Sequence, residues 1–436
     1  MGRFFIQNFG CRASQADGAA LATGLAERGY EAAEGFAGAE LVILNTCTVT
    51  AAADEDVRQA VRRAHRENPG ARILVTGCYA HRAPQELAEM AGVRWVVGNS
   101  HKTQIPDLVV VSRPAVDFHG EIVVGDIGEQ REFLSAPVVE ALGDRTRPNL
   151  KIQDGCNNVC TFCIIPSVRG RSRSARADDV VEQVRGLAGR YREVVLSGIN
   201  LGRWGRDVGA REPERLAGLL RRLLDETPVE RLRLSSIEPM DWSDELLELV
   251  AGSPRIARHV HAPLQSGCDA VLKRMKRRYR ARHYEDRVSR ARALMPDAAI
   301  GADVMVGFPG ETEVEFEESR RFIEKMPFTY LHVFTYSERP GTPAAGYEGA
   351  VEVRVRKERN RVLRELVAAK NLEFRRRILG RRLSVVTLEG GRQALSDNYI
   401  PVELARARLS NRIEEVDVGG LTRGGVREHE ALAVLK

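Results

Sequence analysis

No stretch of the 436-residue chain offers the roughly 18 consecutive apolar residues that a membrane helix needs. The first residues, Met1 to Gln7, run straight into a strand-like segment without the apolar core of a signal peptide, so a cytoplasmic location is expected. Seven cysteines are few, and odd in number, for so long a chain, which argues against a disulfide framework and for thiolate chemistry in a reducing compartment. Gly307-Phe308-Pro309-Gly310 is too short for a nucleotide-triphosphate loop and lacks its lysine. Neither sign of charge is scarce. Lys and Arg number 66 against 60 Asp and Glu, a mild basic bias that suits a polyanionic partner without requiring one.

What the chain does hold is two sets of three cysteines and one left over. Cys156-Asn157-Asn158-Val159-Cys160-Thr161-Phe162-Cys163 is a C-x3-C-x2-C run. A closed zinc site needs four ligands, and no fourth Cys or His stands close by. Three thiolates on a cuboidal iron–sulfur cluster leave one iron without a protein ligand, free to bind something else. Cys11, Cys47 and Cys78 lie 36 and 31 residues apart, and each follows a strand-like run: QNFGC, LNTC and VTGC. The carboxyl ends of parallel strands share one edge of a sheet, so these three are expected to be neighbours in space. One cysteine after a strand is ordinarily core. Three at the same topological position predict a cluster site. Cys268 has no companion at ligand spacing and is expected to be structural.

The order of apolar runs divides the chain. In 1–113, Arg3–Asn8, Leu41–Asn45, Ile73–Thr76 and Trp95–Val97 read as buried parallel strands, and Thr50 caps a helix that Asn68-Pro69-Gly70 ends. These are βαβ units of a small doubly wound α/β domain. Residues 114–146 carry scattered Gly, Pro and charge and read as a connector with a hairpin at Glu121–Asp126. In 147–373 six strands alternate with helical patterns: Leu150–Gln153, Glu193–Ser197, Arg231–Ser235, His259–Ala262, Ile300–Val306 and Tyr330–Tyr336. The last helix opens with Thr312 and Glu315, a capping-box pair. Six such units predict a partial (β/α)6 barrel with a lateral opening wide enough for a large substrate. Arg354–Arg382 holds twelve Lys and Arg against three Glu and predicts a long basic helix running out of the barrel. In 374–436 the runs Leu383–Leu388, Tyr399–Val402, Ile413–Val418 and Ala431–Leu435 predict a small all-β barrel. Leu383–Lys436 has seven basic residues against eight acidic ones, so charge gives RNA binding by this module only weak support.

Together these parts resemble the radical S-adenosylmethionine (SAM) methylthiotransferases over essentially the whole chain, with the last module matching their TRAM domain. GCRASQAD, NTCTVT and TGCYA match the N-terminal cluster motifs, and DGCNNVCTFCIIPSVRGRSRS matches the radical SAM motif. LSGINLGRWGRD, RLSSIEPMD, PLQSGCDAVLKRMKRRY, DVMVGFPGET and FTYSERPGTPAA match later strands and loops. These segments are most similar to the branch that methylthiolates N6-threonylcarbamoyladenosine beside the tRNA anticodon. One departure is that Ala13-Ser14 stands where the family often has Val-Asn after GCR. The cysteines are intact, and no role of that Asn side chain is carried over to this chain.

The resemblance implies two [4Fe-4S] clusters, one on Cys156, Cys160 and Cys163 and an auxiliary one on Cys11, Cys47 and Cys78. It also implies that the open iron of the first chelates SAM, whose reductive cleavage yields a 5′-deoxyadenosyl radical. Such a radical can attack the inert C–H bond at carbon 2 of adenine, which acid–base chemistry cannot. Phe162 is expected against the adenine of SAM, though it also reads as core. Gly198 and Asn200 would let the cofactor approach the backbone, and equally read as a turn. Glu238, Gln265 and Ser266 are expected near the ammonium and ribose of SAM. Arg169, Arg171, Arg173, Arg176 and the seven bases of Lys273–Arg282 are expected near the barrel mouth. There they would hold the phosphates of a tRNA anticodon stem-loop whose target base leaves its stack. The implied partners are tRNA, SAM and an electron donor, with no DNA and no membrane. Two readings compete. One is a sister enzyme acting on isopentenyladenosine in tRNA or on an aspartate of a ribosomal protein; the other is a non-catalytic iron–sulfur or zinc protein that binds RNA.

Overall fold

The computed structural model describes residues 2–111, 120–130, 146–207 and 215–429. The N-terminal sheet contains β1 (Arg3–Asn8), β2 (Glu31–Ala32), β3 (Leu41–Thr46), β4 (Arg72–Gly77), β5 (Val93–Val97) and β6 (Glu121–Val123) in the order β2-β1-β3-β4-β5-β6, all parallel. Both faces are buried. Val42, Leu44, Ile73 and Val75 enter one core while Leu41, Ile43, Leu74 and Trp95 enter another, which is why the strands read as unbroken apolar runs. Thr50 Oγ1 accepts from Ala53 N at 3.1 Å and caps the helix Ala51–Glu67. The expected hairpin at Glu121–Asp126 is not there. Glu121–Val123 is instead the sixth parallel strand, paired with β5.

The central unit holds β7 (Asn149–Asp154), β8 (Arg173–Ser174), β9 (Glu193–Gly198), β10 (Arg231–Leu234), β11 (His259–His261), β12 (Ala299–Val306) and β13 (Tyr330–Thr335). Strands run β8-β7-β9-β10, then β11-β12-β13, and a parallel bridge from Leu232 to Ile256 joins the two groups. Helices cover the outside, and Thr312 and Glu315 form the expected reciprocal cap of Glu313–Lys325. The six parallel strands form an open arc whose edges are β7 and β13.

The lateral opening is not left for substrate. The helix Arg12–Ala26 packs on β7, where Asp17 meets Lys151 at 2.5 Å. Beyond β13, Arg339 donates to Asp54 at 2.6 Å and Ser337 Oγ accepts from Ala51 N at 3.0 Å. The N-terminal domain therefore holds both edges of the arc and closes its side.

The helix Val353–Ile378 does not run out of the barrel either. It packs along β13, with Arg359 bonded to Glu311, Asn360 to the Val333 carbonyl and Asn371 to the Thr329 carbonyl. Its final turn puts Phe374 and Ile378 into the core of the last unit. That unit is a closed barrel of β14 (Arg382–Thr387), β15 (Gln393–Ser396), β16 (Pro401–Glu403), β17 (Ile413–Leu421) and β18 (Val426–Glu428) in the order β14-β15-β16-β18-β17, as the TRAM resemblance implies. The expected strand at Ala431–Leu435 lies outside the described residues. The small barrel docks on the amino ends of the larger one. Arg233 donates to the carbonyls of Ser396 and Asp397, and Tyr399 stacks on His259 at 4.4 Å between ring centroids.

Candidate active site

Cys156, Cys160 and Cys163 lie on the loop after β7, at the carboxyl end of the arc, and all three line a cavity of about 390 Å³. The residues fit a cluster. Asn158 N and Asn200 Nδ2 donate to Cys156 Sγ at 3.4 and 3.7 Å, and Arg277 Nη1 donates to Cys160 Sγ at 3.3 Å. Such donors support ligand charge on sulfur. Burial pushes the Cys163 thiol up to about 12, and the neighbouring Cys160 and Cys156 add to it. Burial also raises Cys156. A bound cation reverses this preference and takes the thiols as thiolates.

The sheet order β2-β1-β3-β4-β5 puts its switch point between β1 and β3, where ligand crevices form in doubly wound sheets. Cys11 and Cys47 flank it. Gly10, at φ 91°, passes so close to Cys47 that a Cβ there would stand 2.7 Å from its sulfur. Burial, helped by the neighbouring Cys78 and Cys11, pushes the Cys47 thiol up to about 12. Cys78 packs with Ile164 and Val168, directly beyond Cys163, and Asn99 Nδ2 reaches both its sulfur (3.7 Å) and the Val168 carbonyl (2.7 Å). Cys11 lines the same cavity as Cys156, Cys160 and Cys163. One chamber is thus lined by the Cys156, Cys160 and Cys163 triad and by Cys11 of the other domain, while Cys47 and Cys78 are buried behind it.

Two family models match separate stretches of the chain. One described as uncharacterized protein family UPF0004 matches residues 3–98, and the radical SAM superfamily model matches 150–323. A threonylcarbamoyladenosine tRNA methylthiotransferase, MtaB, of Aquifex aeolicus is 38% identical over 399 residues, covering 91% of this chain and 95% of the relative. The chain belongs to the radical SAM methylthiotransferases. It is an enzyme that transfers a methylthio group, with SAM and an iron–sulfur cluster as cofactors. MtaB of Bacillus subtilis is 40% identical over 81% of this chain and 78% of its own length. A tRNA-2-methylthio-N(6)-dimethylallyladenosine synthase of a Parafrankia species is 34% identical over 98% and 84%. Among solved structures, the radical SAM methyltransferase TsrM of Kitasatospora setae superposes with a TM-score of 0.57 at 16% identity, covering 79% of this chain and 76% of its own; it shares the fold.

Of the other residues expected at this methylthiotransferase's site, Phe162, Gly198, Glu238 and Gln265 line the cavity. Gln265 is held there at φ 65°, a strained value for a side-chain-bearing residue. Gly198 has a packing reason of its own, since a Cβ would come 2.9 Å from Gln153. Asn200 is buried, donating to Cys156 Sγ, and its Oδ1 has no hydrogen-bond partner among the described residues. The structure does not bring Ser266 to the cavity. Its hydroxyl faces the helix Glu313–Lys325 and bonds Ser319 Oγ at 2.9 Å. Cys268 is buried in a small apolar cluster with Val271, Met275 and Phe308.

The basic runs are only partly at the surface. Arg169 is fully enclosed, bonded to Asp17 and Asp154, and Arg173 donates to the Arg169 carbonyl. Arg274 pairs with Glu315, and Arg277 pairs with Glu238 as well as reaching Cys160. Arg171, Lys273, Lys276 and Arg278 are exposed and have no ion pair among the described residues. Arg278 lines a second hollow of about 280 Å³ that shares Asn158 with the main cavity.

Proposed function

We propose that this enzyme methylthiolates carbon 2 of N6-threonylcarbamoyladenosine beside the anticodon of tRNA. The observation that carries the reading is a single chamber lined by Cys156, Cys160 and Cys163 and by Cys11 of the N-terminal triad, together with relatives that bear the threonylcarbamoyladenosine name at 38 and 40% identity. Cys156, Cys160 and Cys163 would hold the [4Fe-4S] cluster that binds SAM, and Cys11, Cys47 and Cys78 a second one. Clusters at these positions would supply the electron that cleaves SAM and hold the sulfur that is transferred as methylthio. The chain's own residues confine these groups. Arg277, tied to Glu238, fixes the Cys160 side; Phe162 offers an aromatic face to the adenine of SAM; Gln265 presents polar atoms toward its ribose and ammonium. Reductive cleavage consumes an electron, so a separate electron donor is a partner. Arg171, Lys273, Lys276 and Arg278 contact phosphates of the anticodon stem-loop and position it without reading sequence. The target base then leaves its stack to enter the chamber.

A mass spectrum of tRNA nucleosides from cells lacking this protein tests the reading. Loss of 2-methylthio-N6-threonylcarbamoyladenosine with accumulation of the unthiolated nucleoside is expected. Loss of the methylthio-isopentenyl nucleoside instead, or of a modified aspartate in a ribosomal protein, refutes it.

A further inference from the structure

The inner end of the chamber is more polar than a chamber for an adenine ring requires. His261 on β11, Asp303 on β12 and His332 on β13 face the lumen together, because Asp303 pairs in register with His332 and lies two residues beyond Gly301, the partner of His261. Their ligating atoms all lie within 4.8 Å of one another. Gly301 makes this packing possible, since a Cβ there would stand 2.0 Å from the Tyr330 ring.

These groups are not satisfied by one another. His261 Nε2 is 3.5 Å from Asp303 Oδ1, beyond a good hydrogen bond, and is buried without a hydrogen-bond partner among the described residues. His259 differs: its Nε2 is 2.6 Å from Tyr330 Oη, and Tyr399 stacks against it. Burial, with Asp303 opposing, holds His332 below its ordinary value and so favours the uncharged imidazole.

Arg12 supplies the remaining charge. It follows Cys11, begins the helix Arg12–Ala26, lines the cavity and is half-buried. Its guanidinium has no hydrogen bond or ion pair among the described residues, yet acts on the charges of His259, Tyr330 and His332. A half-buried, unpaired guanidinium calls for an anion, and carboxylate matches its fork. It also disfavours a bare metal cation between the nearby His and Asp side chains.

We propose that Arg12, His261, Asp303 and His332 form the subsite for the N6 substituent of the target adenine, and that this subsite requires a carboxylate and a hydroxyl. Arg12 binds the carboxylate, Asp303 accepts from the hydroxyl, and the two imidazoles bond the remaining polar atoms. An isopentenyl group would leave all four unpaired, and a site built to bond polar groups rejects an analogue without them far more strongly than it rejects a missing methylene. The inference rests on the threonylcarbamoyladenosine reading above and names the residues that enforce it.

The test uses the reconstituted full chain and one anticodon stem-loop carrying the threonylcarbamoyl group as free acid, as methyl ester or without its hydroxyl. Wild type should prefer acid to ester by about 10- to 100-fold in kcat/KM, the range for a hydrogen bond to a charged group. Arg12→Gln should lose that preference while Arg12→Lys keeps most of it, a pattern that a merely structural defect does not produce. Asp303→Asn should blunt discrimination against the substrate lacking the hydroxyl and leave the acid-to-ester ratio in place. Equal turnover of acid and ester by wild type, or equal losses on both in Arg12→Gln, overturns the subsite while the parent reading stands. Turnover of an isopentenyl stem-loop with neither threonylcarbamoyl form accepted overturns the parent reading and the subsite with it.

Discussion

Replacing Asp17 by Asn should destabilise the folded enzyme by about 3–5 kcal/mol, the cost of removing one partner from a buried ionic network. Asp17 is 1% exposed and accepts from Lys102 (2.9 Å), Lys151 (2.5 Å) and Arg169 (3.1 Å), while Asp154 takes Lys151 (2.7 Å) and Arg169 (3.0 Å). Three buried cations therefore share two carboxylates, and the substitution leaves them with one. Lys102 would keep only the Asn45 amide oxygen at 3.2 Å. Burial works against ionisation of both acids, but the surrounding cations outweigh it and hold Asp17 and Asp154 well below the usual carboxylate range. Since the folded values lie below the unfolded value of about 3.9, this stabilisation is fully present above that pH and is lost as pH falls through the acid range. Urea unfolding at pH 7 measures the loss, and Asp17→Asn should also flatten the fall in stability below pH 4. Adding Lys102→Met should recover part of the loss, because it removes a cation that has lost its partner. A loss under about 1 kcal/mol, the scale of a surface pair, or strict additivity of the two substitutions, would refute the reasoning.

Three further outcomes are expected. Anaerobic reconstitution should give about eight iron and eight sulfide per chain as two four-iron clusters, and changing Cys156, Cys160 and Cys163 to Ala should halve this and abolish SAM cleavage; iron analysis and 5′-deoxyadenosine assays decide it. Changing Cys11, Cys47 and Cys78 to Ala should still allow 5′-deoxyadenosine to form while methylthiolated product disappears; normal product would make these cysteines core residues only. Changing Arg171, Lys273, Lys276 and Arg278 to Gln should weaken stem-loop binding and make its log–log salt dependence shallower by about 0.7–0.9 for each phosphate no longer neutralised; an unchanged slope would place the RNA elsewhere.

The long strands, the Thr312 cap and the spacing of Cys156, Cys160 and Cys163 were legible because each signal is local: an apolar run, a capping residue, a motif; Cys11, Cys47 and Cys78 were linked only by their common place after three strands. Glu31–Ala32 and Glu121–Val123 are strands of two and three residues, exposed or half-exposed at opposite edges of their sheet, and too short to show a period. The charge runs misled for a different reason. Arg169 reads as surface until Asp17, 152 residues upstream, folds against it. Arg359 sits in a basic run yet is buried by Glu311 on the barrel. His261, Asp303 and His332 were missed because parallel barrel strands are covered on both faces, so inward polar positions do not stand out from the alternation, and Arg12 because a single charge at the start of a helix carries no signal of its own. The pair His259 and His261, two apart on one strand, was the available clue.

The docking of Tyr399 and the Ser396–Asp397 carbonyls on His259 and Arg233 gives the enzyme an order of assembly. The doubly wound sheet and the β/α arc emerge from the ribosome first and can fold as units. The inner wall of the chamber stays unfinished until residues of the small barrel arrive, more than 130 positions after β11. A nascent or prematurely ended chain would carry its cysteines and most of its strands yet present a basin open at the base, its histidines and Tyr330 facing water. Completion of the last module is thus the step that gives an open trough its floor.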